Sequence, residues 1–318
     1  MQDAVDTKAT SSFWNRVALA GTAGYILYCF SENFFWTRPT EEHVGGYVAG
    51  WLLYAFLTFA LFTVIHHFRA RSVWALFLAG SVYGWLVEGV IMQTMYDSLP
   101  WQLSFTGLAW HALISVLVGW WYTRRTLFEN RPGKTILLAF GLGLFYGVWS
   151  LNAYVQEGMI TSLPVYARFA TVSTLLLVAS YVLHDRIALS AFQPGRVEVG
   201  VQVAFLGAYF IFVAVPAQPL ALLILPPPLA LTGVALHRNR RRETRADILV
   251  ALQGRVKWWN YLLLLVVPVV AIAFYALALK VNVAQHDDLL ALIPIAMYVL
   301  TAGLGFGMYL ISWLKVWR

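Results

Sequence analysis

A single cysteine, Cys29, stands in 318 residues, so the chain can form no intrachain disulfide and no Cys-rich zinc site. Charge is scarce as well: 12% of residues are Asp, Glu, Lys or Arg, against about 25% in an ordinary soluble domain. With 60% of residues apolar, there is too little polar surface to cover a water-facing protein of this size, and the chain belongs in a bilayer. No small-residue cleavage site of the A-x-A kind follows the polar residues Met1 to Ser12, so the apolar stretch from Phe13 is expected to stay attached as a first membrane helix. Neither a His-x3-His nor a His-Glu-x2-His pair occurs, and the adjacent His66 and His67 point to different helix faces. The expectation is therefore no metal site and no cofactor.

What the chain does have is long apolar runs. They predict an all-α, polytopic membrane helix bundle with ten crossings, near 13–36, 45–68, 73–95, 104–122, 135–156, 163–183, 200–216, 219–236, 258–280 and 289–313. Lys and Arg collect in loops retained on the cytoplasmic side. With both termini cytoplasmic, all of the 22 cations except Arg38, Arg168 and Lys280 fall on that side, whereas Glu32, Glu88, Asp97 and Glu157 fall towards the other. A wrong helix count would scramble this alternation. The net charge of +7 is thus read as orientation. The run His237 to Arg245 is read as an anchor to anionic lipid, because no aromatic interleaving marks a nucleic-acid site. The expected setting is a cell membrane, a prokaryotic plasma membrane.

The chain divides by polarity into a cytoplasmic segment 1–12, six helices over 13–184 that carry nearly all the intramembrane ionisable groups, and four nearly apolar helices over 185–318 with a basic cytoplasmic loop at 237–257. Within the first six, Glu88, His111 and Arg168 each sit about five to seven residues from the outer helix end, a shared depth of roughly 7–10 Å at 1.5 Å per residue. The short hairpin between the third and fourth helices makes Glu88 and His111 antiparallel neighbours. Gly84 lies four before Glu88, and Gly107 and Ser115 lie four to either side of His111, so both ionisable groups share a face with small residues.

A Glu and a His meeting in low dielectric suit proton transfer near neutral pH, which casts Glu88 and His111 as acid and base. Arg168 is assigned to hold an anionic head group, with Glu32, Tyr96, Asn152, Glu157 and Ser115 completing a polar funnel from the non-cytoplasmic side. The bland alternative is a polar clasp in which Arg168 neutralises a glutamate and His111 bonds a carboxylate. Ser115 is by the same reasoning a residue bonded to its own helix backbone. In the eighth helix, Pro226-Pro227-Pro228 is expected to break the helix near its middle.

Three function classes follow. The first is an intramembrane enzyme acting by acid–base chemistry on a lipid, isoprenoid or other amphipathic substrate, with membrane lipids as its partners and no nucleic acid. The second is a secondary transporter of a small metabolite or ion, and the third a noncatalytic membrane-complex subunit. Concentration of polar groups in six helices favours the enzyme over a transporter with two equal halves.

Overall fold

The computed structural model describes residues 12–34, 44–157, 160–187, 192–242, 248, 252, 254–281 and 287–318, and leaves aside the side chains of 152–157, 242, 287–291, 293 and 294. Of the described residues 86% are helical and none lies in a strand. Ten helices follow one another: α1 over 13–33, α2 Val44–Phe68, α3 Val73–Ile91, α4 Trp101–Phe128, α5 Pro132–Glu157, α6 Leu163–His184, α7 Arg196–Ala217, α8 Ala221–Arg241, α9 Trp258–Lys280 and α10 Asp287–Trp317.

Nine of these, among the described residues, contain a stretch long and apolar enough to cross a membrane, which suggests a multi-pass membrane protein. The tenth expected crossing, α1, is helical throughout but carries Asn15 and Arg16 near one end and Ser31, Glu32 and Asn33 at the other, which lowers its mean hydropathy. It packs inside the bundle all the same, against α2, α4 and α6.

Burial ranks the helices. Within the apolar stretches, 78% of residues are buried in α3 and 67% in α4, against 17% in α7 and α10. The α3–α4 hairpin is therefore the core, flanked by α1, α8 and α10, while α5, α6 and α9 pack together on another side. Large apolar side chains such as Leu137, Phe212, Leu223 and Val269 cover the exterior, a surface suited to lipid tails and not to water.

Close approach within the core needs residues without side chains. A Cβ at Gly84 would lie 2.1 Å from the Gly107 carbonyl oxygen, and one at Gly107 would meet the Trp85 ring at 2.6 Å. These glycines let α3 and α4 touch backbone to backbone, which brings polar groups on the two helices within reach of each other.

Three expectations from the sequence are corrected. The triple proline does not break α8 near its middle: a short turn, Ala221–Ile224, bends at Leu225, and Pro226–Pro228 then occupy the first turn of the segment Pro226–Arg242. First-turn N–H groups have no intrahelical acceptor, so prolines cost nothing there. The basic loop placed at 237–257 begins later, because His237 to Arg242 continue the helix; cations are favourable at a helix C-terminus. Residues 243–247, 249–251 and 253 of that loop, like 1–11 of the N-terminal segment, lie outside the described residues.

The third correction concerns Arg124, read as a loop cation. It lies on the extended end of α4, only 1% exposed, with its Nε donating to Asp185 at 2.7 Å. The Tyr261 hydroxyl donates to the other oxygen of Asp185 at 2.8 Å, tying α4, α6 and α9 together at one end of the bundle.

Candidate functional site

The polar residues of α1, α3 and α4 converge in the bundle interior. His111 Nε2 lies 2.6 Å from Glu88 Oε1, with His111 1% and Glu88 8% exposed. On its other side, His111 Nδ1 is 3.1 Å from the Ser31 hydroxyl, and Ser31 is 2.7 Å from the Ser115 hydroxyl. Ser115 in turn donates to the Trp110 carbonyl at 3.0 Å, and the Trp110 indole N–H donates to the Ser31 carbonyl at 3.0 Å. The free oxygen of Glu88 accepts from the Thr94 hydroxyl, in the hairpin between α3 and α4.

Local backbone explains how three helices present these groups. Ser31 and Glu32 sit in a turn, Cys29–Asn33, closed by i→i+5 hydrogen bonds, Glu88 in another at Val87–Ile91, and His111 and Ser115 within a longer stretch of the same kind, Phe105–Tyr122. Such widened turns are rare and concentrate at functional sites. The Tyr96 hydroxyl donates to the Gly89 carbonyl at 2.8 Å, clamping the turn that carries Glu88. Burial pushes the Tyr96 phenol up to about 12, so it stays a donor across the neutral range.

Two tyrosines close the site. The Tyr54 hydroxyl donates to Glu32 Oε1 at 2.5 Å, and its ring centroid is 6.2 Å from that of His111. Tyr83 meets the His111 ring edge-on at 5.8 Å and is fully buried. The carboxylates of Glu32 and Glu88 both lie within electrostatic reach of these two phenols.

One proton arrangement satisfies all of these bonds. Ser115 has one hydroxyl proton and gives it to the Trp110 carbonyl, so towards Ser31 it can only accept. Ser31 then gives its own proton to Ser115 and must accept from His111, which places a proton on Nδ1. A single proton remains for the contact between Nε2 and Glu88. On Nε2 it makes an imidazolium–carboxylate pair; on Oε1 it makes a neutral pair. In this arrangement the pair shares one proton, with Glu88 the member nearer the hairpin.

The other residues singled out from the sequence stand as follows. Glu32, Ser115 and Tyr96 belong to this neighbourhood through the bonds just given. Arg168 does not: it is exposed on α6, with no hydrogen bond or ion pair among the described residues. Rotation about a helix axis decides this, and depth alone does not reveal it. Arg168→Ala is accordingly expected to change stability by no more than about 0.5 kcal/mol, read as a thermal midpoint. Asn152 and Glu157 are on the last turns of α5, and their side chains lie outside the described residues.

Sequence reasoning missed Ser31, Tyr54, Tyr83 and Thr94. The polar triplet Ser31-Glu32-Asn33 closing an apolar run was the available signal for the first; the tyrosines looked like ordinary aromatic packing. His184, also fully buried, is satisfied on both ring nitrogens, by the Trp120 indole N–H at 3.0 Å and by Thr22 at 2.9 Å, and is structural. No group of three or more His, Cys, Asp or Glu that could hold a metal occurs among the described residues.

Compared with protein-family models, curated proteins and solved structures, the chain matches none. What can be said of its activity therefore rests on the geometry.

Proposed function

We propose that the chain is a ten-helix integral membrane protein with both termini cytoplasmic, and an intramembrane enzyme using Glu88 and His111 as its acid–base couple on a lipid, isoprenoid or other amphipathic substrate. The observation that carries this reading is the 2.6 Å Glu88–His111 contact, buried among three helices, with the imidazole oriented from behind by Ser31 and Ser115. A base within hydrogen-bond reach of its partner and oriented by a third group is the arrangement that acid–base catalysis uses. Glu88 is the group that exchanges a proton with substrate, while His111 stores it and Tyr54, Tyr83 and Glu32 shape the surroundings.

The transporter reading drew support from a helix broken in mid-membrane. The bend at Leu225 lies within the first turns of α8, which removes that support.

Untargeted lipid profiling of cells making the parent protein or the Glu88→Gln variant tests the enzyme. The expected result is lipid species altered by the parent alone; identical profiles at equal folded yield would defeat the proposal. Orientation is tested separately. Cys29 is buried and gives no background label, so a cysteine introduced as Arg241→Cys reports by itself. It is expected to resist an impermeant thiol reagent on intact cells and to react after permeabilisation; labelling of intact cells would reverse the topology.

A further inference from the structure

A cleft of about 500 Å³ runs between α1, α2 and α6, a volume within the range of small-molecule sites. Along α1 its wall extends from Gly21 to Asn33, twelve residues or about 18 Å at 1.5 Å per residue, more than half of a bilayer's roughly 30 Å hydrocarbon thickness. It opens sideways between Val48, Val172, Leu176 and Leu183, each about half exposed. In a chain that crosses the membrane, such an opening faces acyl chains and not water.

None of the described residues lining the cleft is charged. Neutral polar groups, among them Thr22, Tyr25, Ser173 and Ser180, interrupt an otherwise apolar wall. At the outer end Asn33 lines it, 3% exposed, with an Oδ1 that has no hydrogen-bond partner among the described residues. Among the described lining residues a phosphate head finds no cation, whereas a hydroxyl head finds an unsatisfied acceptor. Two packed tyrosines stand between the cleft and the Glu88–His111 site. Tyr28, in the cleft wall, packs edge-to-face on Tyr54 at 5.3 Å, and Tyr54 holds Glu32 and lies against the His111 ring.

We infer that this cleft binds a neutral, single-chain amphiphile with a hydroxyl head, a long-chain or isoprenoid alcohol, its tail along α1 and α6 and its head at Asn33. The binding claim stands on the cleft; its role as the substrate's tail site rests on the acid–base reading above.

The test is photolabelling of the full chain in phosphatidylcholine nanodiscs with a diazirine-bearing long-chain alcohol, followed by peptide mapping. Labels are expected on 21–33 and 169–183, competed by unlabelled alcohol and about tenfold less by the same chain bearing a phosphate head. A Cβ at Gly21 meets nothing within 4 Å, so Gly21→Phe fills the inner end without striking backbone and is expected to cut labelling about tenfold. Val172→Trp, on a half-exposed residue, does the same from the opening and keeps the test alive if Gly21→Phe folds poorly. Asn33→Leu removes the acceptor and is expected to weaken labelling about threefold to tenfold.

A second cleft of about 510 Å³, lined by Val199, Gln202, Leu206 and Leu225 among others, supplies the comparison. Equal labelling of both, insensitive to Gly21→Phe and Val172→Trp, means annular lipid only and overturns the proposal. So does exclusion of the probe by a second copy, seen as a disulfide-linked dimer of a Val172→Cys variant. Labelling is read without turnover, so the two claims separate. Specific labelling together with full turnover in Glu88→Gln sinks the acid–base reading and leaves the cleft standing; absent labelling with turnover lost in Glu88→Gln sinks the cleft alone.

Discussion

Glu88→Gln is expected to give a protein as stable as its parent with turnover lower by about 10²–10⁴, the usual contribution of a positioned acid or base. The proton arrangement makes the first half of that statement specific. With Nδ1 protonated and turned to Ser31, Nε2 of a neutral His111 is an acceptor, and a Gln amide N–H can donate to it from where Oε1 now stands. The amide oxygen then takes the Thr94 hydroxyl in place of Oε2. Every bond is remade with an isosteric group, and only the ability to release and recover a proton is lost. Glu88→Ala and His111→Ala differ, because each leaves a buried partner unpaired, and breaking a buried pair in this way costs about 3–5 kcal/mol. Thermal unfolding of the purified variants, set beside lipid profiles, separates the cases. A Glu88→Gln protein that melts far below its parent would identify the pair as a structural clasp, and one with full turnover would exclude it from catalysis.

Much of the scaffold was legible in the sequence, for identifiable reasons. Apolar runs of membrane length favour helix, because backbone groups have no water to bond in hydrocarbon, and each of the ten runs corresponds to a helix, with limits within about a turn except at the C-terminal ends of α4 and α8, which run five or six residues further. The Glu88–His111 meeting was legible too: a short hairpin forces α3 and α4 to be antiparallel neighbours, and the glycines at 84 and 107 mark the faces that touch.

What stayed hidden depends on rotation and on backbone register. Arg168 matches the pair in depth yet turns away from it, since one residue's shift in facing is about 100° on a helix of 3.6 residues per turn. Ser31 reaches His111 from a turn whose i→i+5 bonding no simple periodicity announces. Arg124 gave no sign that its charge would be buried, because its partners Asp185 and Tyr261 are distant in sequence. The prolines of α8 were misplaced for a related reason: proline excludes a helix interior, but the same residues start a helix equally well, and only the bend at Leu225 decides between the two.

Gly84→Val is expected to abolish the folded site even though residue 84 carries no chemistry. Its Cβ would stand 2.1 Å from the Gly107 carbonyl oxygen, 2.9 Å from the carbonyl carbon and 3.0 Å from the Cα, all backbone atoms that no rotamer change can move aside. The helices must therefore part. Parting them is costly, because the Trp85 indole N–H on α3 is bonded to the Leu103 carbonyl on α4 at 3.1 Å, and that bond would be lost. Overpacking of a tight core costs about 1–3 kcal/mol or more, and separation of α3 from α4 would also pull Glu88, one turn further along, away from His111 at its present 2.6 Å. Both losses fall on the most buried pair of helices in the bundle. Gly141→Ala is the matched control: nothing lies within 4 Å of its added Cβ, and replacing a helical glycine there is expected to stabilise by about 0.5–1 kcal/mol. Folded yield and thermal midpoint of the two variants, measured in the same detergent, give the answer. A Gly84→Val protein as stable as Gly141→Ala would mean that α3 and α4 do not approach through these glycines, and the Glu88–His111 contact would have to be abandoned with them.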